Sequence, residues 1–303
     1  MATPPAVHRL VTPTLEIAFE ERGPANGPSV VLLHGFPDDV RAWDSVASAL
    51  AAAGLRCIVP YLRGYGATRF RETSTMRSGE QAALGADLLS VLDGLGIACT
   101  ILAGYDWGGR AACIVSALWP TRVRALVSIG GYNIQNIARA LEPDLPAQEQ
   151  RYWYQWYFNT ERGRAGLAGN RVALCRLLWQ LWSPNWRFDE ATFRRTAASF
   201  DNPDFVDVVI HSYRHRHRNA PGDPALAEIE RQLAAQPAIG VPTIVLHGAA
   251  DGVDPSESSQ DAHRHFTGPY RREVVPQAGH FLPWETPDAV SAAVLALAAE
   301  TSG

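Results

Sequence analysis

The sequence predicts an α/β protein: a mostly parallel central sheet flanked by helices and interrupted once by an inserted helical lid. Three observations carry this. Short apolar runs alternate with helical patterns over residues 1–133, the alternation lapses over 134–235, and it resumes over 236–303. Short buried strands alternating with helices indicate a parallel sheet covered on both faces. The expected organisation is a core domain of 1–133 and 236–303, with a helical lid of 134–235 inserted between its halves.

The elements follow in order. Ser29 to His34 (SVVLLH), Leu55 to Pro60 (LRCIVP), Thr100 to Gly104 (TILAG) and Arg124 to Ile129 (RALVSI) read as strands. Trp43 to Ala53 and Glu80 to Leu95 read as helices between them. The next segment is rich in Trp, Tyr and Arg (RYWYQWYF, LCRLLWQLWSPNW, FVDVVIHSYRHRHR) with helical apolar spacing and no convincing strand. Asn219 to Pro224 (NAPGDP) marks a loop. Strands return at Val241 to His247 and Arg272 to Val275, and an Ala-rich helix begins at Pro287.

Composition narrows the function classes. The chain has 303 residues, 47% hydrophobic and 19% charged, with a net charge of -4. That is a globular composition with no basic excess to attract nucleic acid or an anionic membrane. All the Lys and Arg positions are arginine, which reads as a compositional bias. Cys57, Cys99, Cys113 and Cys175 form no Cys-x-x-Cys pair and read as buried thiols. No signal-peptide pattern opens the chain, and no apolar run approaches the roughly 20 residues that span a bilayer. The expected location is the cytoplasm.

The chemistry starts at Gly104-Tyr105-Asp106-Trp107-Gly108-Gly109, after a strand and at the start of a helix. This is the setting of the G-x-S-x-G elbow with Asp in place of Ser, and no G-x-S-x-G occurs elsewhere. The turn holds its central side chain clear of the sheet, beside a helix N-terminus that stabilises an anion. Serine would attack acyl carbon; a carboxylate suits displacement at saturated carbon. The plainer reading of Asp106, a helix cap, gives way when partners follow in the order nucleophile, acid, histidine. Asp251 lies in HGAADGVD after a strand, with Asp254 as an alternative acid. His280 lies in PQAGHFLPWETPD after the last strand and reads as the base. His34 is not expected to be the base, and the histidines of 211–217 and 263–265 read as surface or lid residues. The backbone N–H groups of Phe36 and Trp107 are expected to form an oxyanion hole, and a cis bond before Pro37 would turn that loop inward.

His34-Gly35-Phe36-Pro37-Asp38, Arg63-Gly64-Tyr65-Gly66, the Asp106 elbow and Gly279-His280-Phe281 together resemble the α/β-hydrolase fold epoxide hydrolases and their haloalkane dehalogenase relatives. The resemblance spans the core. It implies two lid tyrosines that hydrogen-bond the epoxide oxygen. Tyr154, in Tyr154-Gln155-Trp156-Tyr157-Phe158, matches one, and Tyr213, in His211-Ser212-Tyr213-Arg214, matches the other less closely. The alternative reading is that both are packed lid aromatics. The chemistry explains the need: opening an epoxide makes an alkoxide, which a phenol can protonate. Trp107, Arg110 and Phe158 are the expected substrate contacts.

Rivals remain. Trp107 stands where haloalkane dehalogenases place a halide-binding indole; the second donor, often Asn, is here Phe36, and Trp153, Trp156, Trp179 or Trp182 could substitute. Fluoroacetate dehalogenases carry two arginines at the elbow. Here Trp107 replaces the first and Arg110 keeps the second. A non-catalytic binding protein on the same scaffold is the alternative from another class. The expectation is an epoxide hydrolase working through an aspartyl ester on a small apolar or amphipathic substrate. Water is its co-substrate, with no cofactor or metal. The oligomeric state, a homodimer included, is open.

Overall fold

The computed structural model describes residues 6–301. In chain order the first part contains β1 (Val7–Val11), β2 (Leu15–Arg22), β3 (Ser29–Leu33), α1 (Asp44–Ala52), β4 (Arg56–Pro60), β5 (Arg69–Phe70), α2 (Gln81–Gly94), β6 (Thr100–Tyr105), α3 (Asp106–Leu118) and β7 (Val123–Ile129). A helical insertion follows: α4 (Pro146–Arg151), α5 (Trp153–Phe158), α6 (Glu161–Trp182), α7 (Glu190–Ala197), α8 (Phe205–Arg216) and α9 (Ala227–Ala234). The chain returns to the sheet with β8 (Thr243–Gly248) and β9 (Tyr270–Val275) and ends in α10 (Leu282–Glu285) and α11 (Pro287–Glu300).

The strand order is β1-β2-β4-β3-β6-β7-β8-β9, with β5 pairing β2. From β4 to β9 every pairing is parallel; β1, β2 and β5 are antiparallel additions at one edge. That edge was not anticipated from sequence. β2 (LEIAFEER) carries charge at both ends of its span, and such a run lacks the continuous apolar signature of the central strands. The strands that were anticipated agree to within one or two residues.

The centre of the sheet is buried on both faces. All six residues of β6 are buried, as are four of five in β3, which requires helices on both sides. α1 packs with α11 on one side and α2 with α3 on the other. α3 is buried from Trp107 through Ser116, as expected of a helix that is apolar nearly all round. The order β4-β3-β6 is the point where the chain changes its winding direction. Ligands of open parallel sheets bind at such a switch, outside the carboxyl ends of the strands. The loops after β3 and β6 meet there.

Candidate active site

β6 runs directly into α3, so Asp106 must turn the chain within a single residue. It does so at φ 49°, in the left-handed region that non-glycine residues seldom occupy. Gly108 permits the turn: a Cβ there would strike the backbone oxygen of Leu33 on β3. The Asp106 carboxylate is carried past the sheet end, where the Phe36 N–H donates to its Oδ1 at 2.8 Å. The Phe36–Pro37 bond is cis, as expected. Trp107 is the second residue of α3, so its N–H belongs to the unpaired donors of a helix N-terminus.

Buried side chains hold the Phe36 loop. Asp38 accepts from the Tyr105 hydroxyl at 2.6 Å and from Trp284 Nε1 at 2.9 Å. Trp179 Nε1 on α6 donates to the Pro37 carbonyl at 2.7 Å. His34 is buried and accepts from the Leu62 N–H through Nε2. Burial lowers its pKa to about 4, against smaller upward pulls from the Gly35 carbonyl and Asp106. Burial holds the imidazole toward its neutral form, with Nε2 taken by the Leu62 N–H.

His280 and Asp251 come from the loops after β9 and β8. His280 Nδ1 donates to Asp251 Oδ2 at 2.9 Å, and both residues are only 8% exposed. Asp251 Oδ1 accepts the N–H groups of Val253 and Asp254 at 2.8 and 3.1 Å. Asp254, the alternative acid, is engaged elsewhere: it accepts from the Tyr152 hydroxyl at 2.5 Å and from Gln148 Nε2 at 3.2 Å. Burial favours the neutral imidazole of His280. Asp251, by charge and hydrogen bond, with Asp106 and Asp254 behind it, outweighs burial and raises the pKa to about 9.

The sequence did not assign roles to the residues that hold the His280 loop. The His280 N–H reaches the Trp182 carbonyl and Ser183 Oγ, at 3.1 and 2.9 Å. The same Trp182 carbonyl accepts from Gly252, next to Asp251, at 2.9 Å. Ser183 donates to Glu285 at 2.6 Å, and Glu285 also accepts from Gly279 N at 2.8 Å and Phe281 N at 3.1 Å. Glu285 was legible only as part of the motif around His280. Nothing in sequence marked Ser183, which ends α6 some hundred positions earlier.

The helical insertion covers the site with aromatic rings. Tyr154 (α5) and Tyr213 (α8) are buried and pack at 5.4 Å, and Phe158 lies 6.1 and 5.4 Å from them. Phe36 stacks on Trp107 at 5.7 Å and meets Tyr213 at 5.5 Å. Trp182 lies 5.2 Å from His280 and 4.9 Å from Tyr154. Burial raises the pKa of both phenols, so they stay protonated. Tyr154 accepts from Gln155 at 3.1 Å. Five buried polar atoms around Asp106 have no partner among the described residues: Tyr65 Oη, Tyr213 Oη, His280 Nε2, Trp107 Nε1 and Arg110 Nε. Buried polar groups are nearly always paired, so such a cluster marks a functional centre.

Several expectations shift. Trp179 and Trp156 are not free indoles facing the site: the first is bonded to Pro37, and the second is 40% exposed. Cys99 is only partly buried, unlike the other three cysteines. His211 and His215 are built into the junction between insertion and core. His211 accepts from Gly79 N, and His215 faces Glu80 at 3.4 Å. Among the described residues, Glu80, His215 and Glu230 are the group with metal-like spacing, their atoms within 4.8 Å of one another. No such group was recognised in the sequence. Both carboxylates already accept protein hydrogen bonds, from Ser78 and Asp223 and from Gln81 and Ala82.

Residues 28–287 match the model of the alpha/beta hydrolase fold family. Epoxide hydrolase A of Mycobacterium tuberculosis is 26% identical over 95% of each chain. The crystal structure of a Klebsiella pneumoniae protein, provisionally named an epoxide hydrolase, is 44% identical over 96% of each chain with a TM-score of 0.93. Epoxide hydrolase A of Mycobacterium thermoresistibile, 24% identical with a TM-score of 0.74 over 97% of this chain and 98% of its own, shares the fold. With a sheet that changes direction at an aspartate elbow and relatives that match along its whole length, the chain belongs to the α/β-hydrolase fold family, among the epoxide hydrolases.

Proposed function

We propose that this protein opens an epoxide to a vicinal diol in two steps, through an ester on Asp106. An oxygen of Asp106 attacks an epoxide carbon, the C–O bond breaks, and Tyr154 and Tyr213 bind the departing oxygen, one of them giving it a proton. The product is a hydroxyalkyl ester. His280 Nε2 then takes a proton from water, and the hydroxide attacks the ester carbon of Asp106. The N–H groups of Phe36 and Trp107 hold the oxyanion. Collapse releases the diol, whose oxygen leaves with a proton, and restores the carboxylate and the phenol.

A single observation supports this reading best. Asp106 lies in the elbow with one oxygen on the Phe36 N–H, while two buried phenols face each other in the lid above, one of them unpartnered. The order of protonation also fits. With Asp106 ionised, His280 has a pKa of about 9 and is protonated at neutral pH. Esterification removes the Asp106 charge, one of the smaller upward pulls, and so shifts that pKa downward for the second step. Trp107 Nε1, buried and unpartnered, favours halide release as the second reading.

No described helix is long and apolar enough to cross a membrane. We take the protein to act in the cytoplasm on a small organic substrate, with residues 134–235 as its lid. Whether it forms a homodimer is for sedimentation to decide. The mechanism is tested with His280→Gln and an epoxide: intact mass should rise by the substrate mass. In heavy-oxygen water, the label from a single turnover should enter Asp106 and not the diol. No adduct, or label directly in the diol, would sink the covalent route. A parallel assay of halide release decides against the second reading.

A further inference from the structure

The two lid tyrosines differ in what surrounds their hydroxyls. Tyr213 Oη is buried and has no partner among the described residues. Tyr154 Oη accepts a hydrogen bond of 3.1 Å from Gln155 Nε2, and no described residue takes the Tyr154 proton in return. Gln155 is itself only 1% exposed, and its amide oxygen faces His217 Nε2 at 3.0 Å. Its backbone is held as well. Asn159 Nδ2 donates to the Gln155 carbonyl at 2.9 Å and to the Tyr213 carbonyl at 3.3 Å, which ties α5 to α8.

The direction of this chain of bonds is set at its outer end. His217 Nδ1 is buried and has no partner among the described residues. A proton there would be a buried donor with nothing to bond, whereas a proton on Nε2 is bonded to Gln155. Burial, with the charge of Arg216 behind it, lowers the His217 pKa to about 4, so the ring carries a single proton at neutral pH. With that proton on Nε2, the Gln155 oxygen accepts, its NH2 group points at Tyr154, and the Tyr154 oxygen accepts in turn. The one proton of that hydroxyl is left for a ligand.

The difference matters when charge develops. A phenol that gives up its proton becomes a phenolate, and a phenolate out of water needs a donor. Burial pushes both phenols up. The charge of Arg216 opposes this for both, and that of Arg110 for Tyr213, but only Tyr154 has a hydrogen bond that favours its phenolate.

We propose that Gln155 and His217 are positioning residues that make Tyr154 the proton donor of epoxide opening, while Tyr213 binds the same oxygen and keeps its proton. This rests on the epoxide reading above. As Asp106 bonds to carbon and the C–O bond breaks, the Tyr154 proton moves to the departing oxygen and the Gln155 N–H holds the phenolate. The water consumed in the second step returns the proton.

The test compares methyloxirane with trifluoromethyloxirane in single turnover. Attack at the unsubstituted carbon of each gives a secondary alkoxide, but fluorine makes the second much less basic, so it depends less on a proton donor. Gln155→Met keeps the length of the side chain and removes both bonds. It should slow ester formation from methyloxirane roughly 10–100-fold, the worth of one hydrogen bond to a developing charge, and from trifluoromethyloxirane much less, with ester hydrolysis unchanged. His217→Leu should show the same selective loss more weakly, and His217→Gln, which can still donate to Gln155, should recover it. In a Tyr154→Phe background, Gln155→Met should add nothing. An equal loss on both oxiranes would show that Gln155 only packs, and a Gln155 effect that persists without Tyr154 would make Tyr213 the donor. Either result overturns the proposal, as does a His217→Leu variant with wild-type rates. A wild type that forms no ester with either oxirane would instead overturn the epoxide reading, and this proposal with it. His217 is only partly buried, so its variants report even if Gln155→Met fails to fold.

Discussion

Replacing Asp251 by Asn removes a charge and little else. The amide oxygen can still accept the Val253 and Asp254 N–H groups that Oδ1 holds at 2.8 and 3.1 Å. What disappears is the anion 2.9 Å from His280 Nδ1. Burial pulls the imidazole pKa down, and Asp251 leads the charges that lift it from 6.5 to about 9. A value higher in the folded chain than in the unfolded one means that the protonated pair stabilises the fold. That contribution is complete below pH 6.5 and is lost as pH rises through about 9. A rise of this size corresponds to about 3 kcal/mol. Without Asp251 the largest upward pull is gone, and burial draws the His280 pKa down. Urea denaturation of wild type and Asp251→Asn, from about pH 6 to about pH 10, reads the difference. The gap should be about 3 kcal/mol at the acid end and should shrink to below about 1 kcal/mol at the alkaline end. A gap of constant size across that range would refute the reasoning, because Asp251 would then act by packing and not by charge. The same variant should hydrolyse the ester roughly 10²–10⁴-fold more slowly, the usual worth of a placed base, and should accumulate it.

Further predictions follow the same contacts. Gly35→Ala would place a Cβ 2.5 Å from Asp106 Cβ and 2.8 Å from Oδ1. Ester formation should fall at least about 100-fold, as expected for a misplaced reacting group, while circular dichroism stays native. Tyr213→Phe removes a buried hydroxyl with no protein partner, so Tm should hold or rise while epoxide opening slows in single-turnover assays. Glu285→Gln keeps the shape but weakens the Gly279, Phe281 and Ser183 bonds. It should cost about 1–3 kcal/mol in denaturation and slow ester hydrolysis more than ester formation in burst kinetics. Trp179→Phe loses the 2.7 Å bond to the Pro37 carbonyl. A buried acceptor left without its donor costs about 1–3 kcal/mol, measured by the same denaturation.

The central strands were readable because each is a short β-branched run buried on both faces, and β6 announces itself by running into an elbow. β1 and β2 were not, since an edge hairpin alternates apolar and charged residues like many exposed segments. That Asp106, Asp251 and His280 lie on loops at one end of the sheet was readable, because those loops follow strands whose carboxyl ends face the switch point. Asp251 and Asp254 could be separated only by geometry: three residues apart on one turn, one meets His280 and the other Tyr152. Tyr154 and Tyr213 rested on resemblance, because in an aromatic-rich segment packing and catalysis call for the same residues. Ser183 was invisible, and Trp182 was named only as a spare indole and not for its carbonyl. Both act through contacts with residues far away in sequence, and neither composition nor spacing records such contacts.

The Trp182 carbonyl, which accepts from both Gly252 and His280, has a mechanical consequence. The turn carrying the acid and the turn carrying the base share one acceptor at the end of α6. A lid that swung away as a rigid flap would take that support from both turns at once. Ligand traffic must therefore run past yielding side chains with α6 in place, and lids exchanged between relatives should bring working hydrolysis only when this one carbonyl lands where it does here.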